Sequence, residues 1–151
     1  MKLIHNLLGG LAGAVALNIL HETMKHLQPD APHIDEIGEE ATAKAIEFTG
    51  HDAPEGKSLT AVALAADLAS NAFFYSMIGQ GKETNLVPRG AIFGLAAGLG
   101  TLGVAAAGPV DDTPITKTTA TKMMTVAWYV FGGVVAGWMI GGLRKHYPSS
   151  E

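Results

Sequence analysis

Four long apolar segments, separated by polar stretches, dominate the pattern of side chains along the chain. They cover residues 3–20, 59–79, 90–108 and 123–143, and the last holds no charged side chain over its 21 residues. A helix needs about 20 mainly apolar residues to cross the hydrocarbon core of a bilayer. The pattern therefore predicts an all-α integral membrane protein, a four-helix bundle with transmembrane spans at about 3–27, 58–79, 88–108 and 118–143.

Between the first two spans lies a polar segment, residues 28–57, that carries most of the acidic side chains. Within it, apolar residues from Ile34 to Phe48 recur at the spacing of one helix face, and acidic residues occupy the positions between them. This period predicts an extramembrane amphipathic helix of about four turns that ends near Gly50. Because anionic lipid would repel its acidic face, we expect this helix to cap the bundle rather than lie on the membrane surface.

Composition supports a single membrane domain. The chain has 151 residues, of which only 16% are charged, whereas an average soluble domain carries roughly 25% charged residues. Two alternatives stay open. The chain could be a soluble all-α protein with very apolar core helices, or its first segment could be a signal peptide, with Lys2 as the basic region and residues 14–16 as the cleavage site.

Charge and cysteine content exclude several classes of function. The net charge of −4 offers no basic patch, so we expect no nucleic-acid partner. The absence of cysteine excludes disulfide bonds, thiolate metal sites and cysteine nucleophiles. No G-x-S-x-G motif is present, so acyl transfer lacks its nucleophile signature. The sequence gives little sign of catalysis, although enzyme activity stays open.

The basic residues bear on orientation in the membrane. Four spans place both termini on one side, where the short flanking segments carry five basic residues. The five other basic residues lie on the opposite side in longer segments, where charge is a weaker guide to orientation. We therefore predict a bacterial inner-membrane protein with both termini in the cytoplasm. The flanking residues on the side of the termini are Lys2, Lys82, Arg89, Arg144 and Lys145.

Glycines recur at four-residue intervals in three of the apolar segments. Such small residues line one helix face without side chains and let helices approach closely in lipid. One interpretation is packing between helices of one chain, and the other is an interface in a homo-oligomer or with other membrane subunits. The glycines are Gly9 and Gly13 in the first segment, Gly90, Gly94 and Gly98 in the third, and Gly133, Gly137 and Gly141 in the fourth.

The end of the first span and the amphipathic helix hold the densest set of histidines and carboxylates. Glu22 and His26 share one helix face, as do Glu36 and Glu40, because each pair is four residues apart. If the chain turns back after the first span, these four could bind a divalent transition metal such as Zn, Mn or Fe. The alternative is a solvated acidic surface without metal. Further ligands in the metal-binding interpretation would be His21, His33 and Glu39.

Asp67 lies near the middle of the second span, and Asn71 follows one turn later on the same face. A charged aspartate at the centre of a bilayer costs roughly 2.5–3.5 kcal/mol on insertion scales. Such residues face a bundle interior, pair with polar groups, or mark an ion or proton path. The candidate partners are Asn18 of the first span, Lys122, and the hydroxyls of Thr101 and Thr125. Asp67 either fastens helices through hydrogen bonds or serves transport.

Three functions are compatible with these features. The first is a non-enzymatic accessory, structural or binding component that packs in lipid with itself or with a larger membrane assembly. The second is a small ion, proton or solute transporter that uses Asp67. The third is a metal-binding membrane protein or enzyme. We favour the first, because glycine spacing in three segments and the weak sign of catalysis support it, whereas the others each depend on a few residues.

Overall fold

A computed structural model describes residues 2–82 and 84–147 of the chain. The described part is all-helical and contains no strand, which confirms the predicted all-α class. The helices are α1 (Lys2–Leu27), α2 (Ile34–Phe48), α3 (Lys57–Ser76, continued by a 3-10 turn at Met77–Gly79), α4 (Leu86–Ala107), α5 (Thr113–Thr116) and α6 (Thr119–His146).

Four of these helices, α1, α3 with its 3-10 turn, α4 and α6, are long and apolar enough to cross a membrane. Each presents large apolar side chains at the surface: Leu3, Phe73, Ile92 and Met123 are 65% to 68% exposed. Contiguous apolar patches larger than a few hundred Å² are rare on soluble monomers. Hydrocarbon is the solvent that suits such surfaces, so the helices fit a small multi-pass membrane protein.

Local chemistry explains where several helices begin and end. Helix α2 ends at Phe48, and the chain then turns through Gly50, whose φ of 83° suits a residue without a Cβ. Helix α6 begins after Thr118, whose hydroxyl oxygen accepts a hydrogen bond from the backbone N–H of Thr121 at 3.0 Å. This bond satisfies one of the free N–H groups at the helix start.

Helix α6 contacts both α1 and α4, and α1 in turn contacts α3. Helix α2 contacts α3 and α5. A buried hydrogen bond also links α3 to α6, because the Tyr75 hydroxyl donates to the backbone oxygen of Tyr129 at 2.8 Å. These contacts bring together α1, α2 and α3, the helices that hold Asp67 and the predicted metal ligands.

Helices α4 and α6 approach each other through glycines. A Cβ added to Gly90 or Gly94 would overlap the backbone of α6, and one added to Gly133 would overlap the backbone of Gly90. In contrast, Gly141 has only an ordinary contact, 3.9 Å from a side-chain carbon of Leu86. Each of the other glycines singled out in the sequence also faces a neighbouring helix of the same chain. These are Gly9 and Gly13 of α1, which face α6, Gly98, which faces α6, and Gly137, which faces α4.

We expect Gly90→Ala to lower the stability of the folded protein in detergent by about 1–3 kcal/mol, because the added methyl group has no space against α6. The matched control is Gly103→Ala on the same helix, where an added Cβ meets nothing within 4 Å. Thermal unfolding followed by tryptophan fluorescence measures both changes. Equal melting temperatures for the two variants would contradict the observed helix contact.

Candidate functional site

A cavity of about 570 Å³ lies between α1, α2 and α3, with Tyr129 of α6 contributing to its wall. Its wall is mostly apolar and includes Leu64 and Leu68 of α3. Asn18 and Asp67 are among the polar residues that line it. Five further polar residues of its lining come from the C-terminal part of α1 and from α2: His21, Glu22, Lys25, Asp35 and Glu39.

Asp67 is held by two side-chain amides. Asn18 of α1 donates to Asp67 Oδ2 at 2.8 Å, and Asn71 of α3 donates to Asp67 Oδ1 at 2.9 Å. The Asn18 amide also donates to the backbone oxygen of Ala14 at 3.1 Å, which fixes its orientation. Of the candidate partners, Asn18 contacts Asp67, and this contact ties α1 to α3. The hydroxyls of Thr101 and Thr125 instead donate to backbone oxygens of their own helices. Within residues 2–82 and 84–147, no lysine, arginine or histidine lies within ion-pair distance of this carboxylate.

At the end of α1, Asp35 joins α2 to two basic side chains. Its Oδ1 lies 3.2 Å from Nε2 of His21, and its Oδ2 accepts a hydrogen bond from Nζ of Lys25 at 2.8 Å. The Lys25 ammonium also pairs with Glu22 at 2.9 Å. The nearby ring nitrogen of His21 is the main cause that lowers the pKa of Asp35 below its ordinary value; Lys25 also lowers it, while partial burial opposes both. Asp35 is thus a carboxylate that prefers its charged form.

These groups form a polar column along one face of α1. Asn18, His21 and Lys25 are three and four residues apart, so they lie one above the other on the helix. His21 is 6% exposed, and its ring centroid is 5.7 Å from that of Trp128. The column runs from Asp67 within α3 to Asp35 on α2. Polar groups therefore border the cavity from the middle of a candidate span to its end.

The predicted metal ligands are distributed over separate pairs. Glu22 Oε1 lies 3.0 Å from His26 Nε2 on α1, and Glu36 Oε1 lies 3.0 Å from His33 Nδ1 at the start of α2. Glu40 Oε1 instead pairs with a lysine one turn later at 2.6 Å. In the part of the chain that the structure describes, no three histidine, aspartate or glutamate side chains come close enough to hold a metal ion. The structure does not assemble the four predicted ligands into one site.

Sequence reasoning missed Lys25 as a partner of Asp35. The two residues are ten positions apart, across a turn whose direction no local pattern determines. The spacing of Lys25 from His21 places both side chains on one face of α1, and this was the only sign in the sequence that they could share a partner. The spacing could not show which residue of α2 that partner would be.

Comparisons of the chain with known protein families, with curated proteins and with solved structures find no match. The class of protein is therefore inferred from the helices alone, and four long apolar helices fit a small multi-pass membrane protein. The candidate chemistry follows from the cavity itself. A carboxylate that two neutral amides hold beside apolar walls can attract a positive charge, and the walls favour an apolar body.

We expect Asp35→Asn to loosen α2, because the change removes the charge that holds His21 and Lys25. Hydrogen exchange should become faster in α2 and stay unchanged in α4. A carboxylate whose pKa is lowered by folding stabilises the fold fully above the ordinary aspartate pKa and loses that effect as the pH falls. The native protein should therefore show the same loosening, beginning below about pH 4.

The matched control for this experiment is Asp52→Asn, an exposed position between α2 and α3. This variant removes the same charge from the same side of the protein without touching His21 or Lys25. Exchange in α2 that is equally fast in the two variants would show that the Asp35 contacts do not hold the helix.

Proposed function

We propose that the chain is a small, non-enzymatic multi-pass membrane protein that binds a small hydrophobic cation in the cavity beside Asp67. In this proposal α1, α3, α4 and α6 form a four-helix bundle in lipid, and α2 is an extramembrane amphipathic helix that caps its acidic end. The observation that carries the proposal is a carboxylate on the wall of a mostly apolar cavity, where its partners are two neutral amides.

The charge of Asp67 supports a cationic ligand. Within a span, an ionised carboxylate is expensive and usually pairs with another group or serves a function. The amides of Asn18 and Asn71 satisfy hydrogen bonds to both oxygens without supplying positive charge. A bound cation would supply that charge in surroundings of low dielectric constant, where the attraction between opposite charges is stronger than in water.

Cavity size and surroundings support a small ligand with an apolar body. A volume of about 570 Å³ lies within the range of about 300–1,000 Å³ that small-molecule sites occupy. Leu64, Leu68 and Val15 offer apolar walls. Besides Asp67, the three carboxylates Glu22, Asp35 and Glu39 line the cavity, against one lysine, Lys25. This excess of negative charge would raise the local concentration of a cation.

A transporter that uses Asp67 is the second candidate, and the same polar column supports it. A ligand that entered beside Asp35 would have to leave on the opposite side of the membrane. Beyond Asn71 the path is closed, because a Cβ on Gly10 of α1 would overlap the backbone of Ala72 and come within 2.8 Å of Ser76. This contact favours binding over an open channel, and transport would require the two helices to separate.

Charge distribution supports an inner-membrane location with cytoplasmic termini. The end of the molecule that holds the termini carries Lys2, Arg89, Arg144 and Lys145, whereas most acidic residues belong to the segments at the other end. Short basic segments stay in the cytoplasm, so α2 would face the periplasm. Assembly with itself or with other membrane subunits stays a prediction. Such an interface would need a surface other than the glycines that face neighbouring helices of the same chain.

We expect purified protein in detergent to bind tetraphenylphosphonium, a hydrophobic cation, in a saturable manner in equilibrium dialysis. Asp67→Asn should weaken this binding about thirtyfold or more, because losing one partner of a desolvated charge pair costs about 2 kcal/mol or more. Asp52→Asn is the control, because it removes an exposed carboxylate outside the cavity. Leu64→Trp should also weaken binding, by filling the cavity without changing its charge.

Three results would contradict the proposed function: no saturable binding, equal affinity of the native protein and Asp67→Asn, or equally tight binding of an uncharged aromatic molecule of similar size. The last result would show an apolar cavity that makes no use of the carboxylate.

Topology can be tested by single cysteines, because the chain contains none of its own. A maleimide that cannot cross the inner membrane should label Glu55→Cys, between α2 and α3, in bacterial cells with a permeabilised outer membrane. It should label Lys145→Cys, near the end of α6, only after the inner membrane is opened. The reverse pattern would contradict the predicted orientation, and labelling of both positions in intact cells would contradict membrane spanning.

A further inference from the structure

Two arginines converge on the 3-10 turn that follows α3, at the opposite end of α3 from α2. Arg144 of α6 donates through Nη2 to the backbone oxygen of Gly79 and to Asn6 Oδ1, the second bond at 2.9 Å. Arg89 of α4 donates through Nη1 to the backbone oxygen of Gln80 at 3.0 Å. One short turn therefore positions guanidinium groups from two different helices.

The acceptors of these arginines are neutral, so they orient the guanidinium groups without balancing their charge. Among residues 2–82 and 84–147, neither Arg89 nor Arg144 forms an ion pair. The Nε of Arg144 is buried and finds no hydrogen-bond partner in that part of the chain. The same is true of Nδ1 of His5, which is 5% exposed and lies next to Asn6 in α1. Among the residues that the structure describes, this end carries positive charge and an unpartnered N–H group of Arg144.

Position and surroundings point to a lipid as the source of the missing negative charge. Arg89 and Arg144 lie in the first and last turns of two candidate spans, where the headgroups of a bilayer would be. Apolar side chains stand exposed at the same end, with Leu3 at 68% and Val87 at 40% exposure. Guanidinium groups bind phosphate oxygens in a forked geometry, and basic pockets between transmembrane helices bind anionic headgroups.

We propose that Arg89 and Arg144 together bind the phosphate group of an anionic phospholipid whose acyl chains lie along the exposed apolar side chains of this end. The site is separate from the cavity beside Asp67 and does not depend on the function proposed for that cavity. It would favour phosphatidylglycerol over a zwitterionic lipid, because the phosphatidylcholine headgroup carries a positive charge that the arginines would repel.

Native mass spectrometry of the protein released from mixed micelles tests the site. With equal amounts of phosphatidylglycerol and phosphatidylcholine, the native protein should retain mainly phosphatidylglycerol. Arg89→Gln and Arg144→Gln should each lower the apparent affinity for that lipid about fivefold. Lys145→Gln is the control, since it removes one exposed charge from the same end of α6 without touching the 3-10 turn. Arg144→Gln also removes a link between helices and could prevent folding. In that case the result for Arg89→Gln alone decides.

Three outcomes would overturn the lipid site. Equal retention of the two lipids would show that the protein does not select the anionic headgroup. Equal losses in Arg89→Gln and Lys145→Gln would show only a general attraction of anionic lipid to basic residues. Displacement of the lipid by inorganic phosphate at millimolar concentration would show that a free anion, rather than a phospholipid, occupies the arginines.

Discussion

Helix α6 carries four small residues near its middle, and the close approach of its backbone to α1 and α4 is the constraint on which the other contacts depend. Gly132 and Ala136 face α1, while Gly133 and Gly137 face α4. In hydrocarbon, apolar side chains gain little by leaving the solvent, so van der Waals contact between close helices takes the place of the hydrophobic effect. Because these faces admit no side chain, the positions of α1 and α4 are set closely.

The placement of α1 then determines where polar groups can meet. Its other face meets α3, where Asn18 reaches Asp67, and one to two turns further His21 and Lys25 reach Asp35 of α2. The side chains of α1, α2 and α3 do not fill the space between these helices, and a cavity remains there. Helix α1 is thus held against α6 by backbone contact, whereas α2 and α3 are held against α1 by polar side chains. The cavity beside Asp67 results from this difference.

Charge is arranged differently at the two ends of the molecule. Around Asp35 and Glu22, Lys25 pairs with both carboxylates, and the segments at that end are acidic overall. Around Arg144 the described partners are neutral oxygens. An acidic end is repelled by anionic headgroups, whereas an end with net positive charge is attracted to them. The same asymmetry underlies both the proposed orientation and the proposed lipid site.

The sequence by itself determined the all-α class and the four long apolar helices, because length and apolar periodicity are local properties of each segment. It also singled out Asp67, with Asn71 one turn later, since a carboxylate within an apolar run is visible without any fold. Asn18 was one of several possible partners, and only the fold decided among them. Only the tertiary structure decided that Asp35 meets Lys25, that Glu22 and Glu40 lie in separate pairs, and that Arg89 and Arg144 share one turn. Contacts between helices depend on the rotation and offset of each helix about its axis, which packing of the whole chain determines.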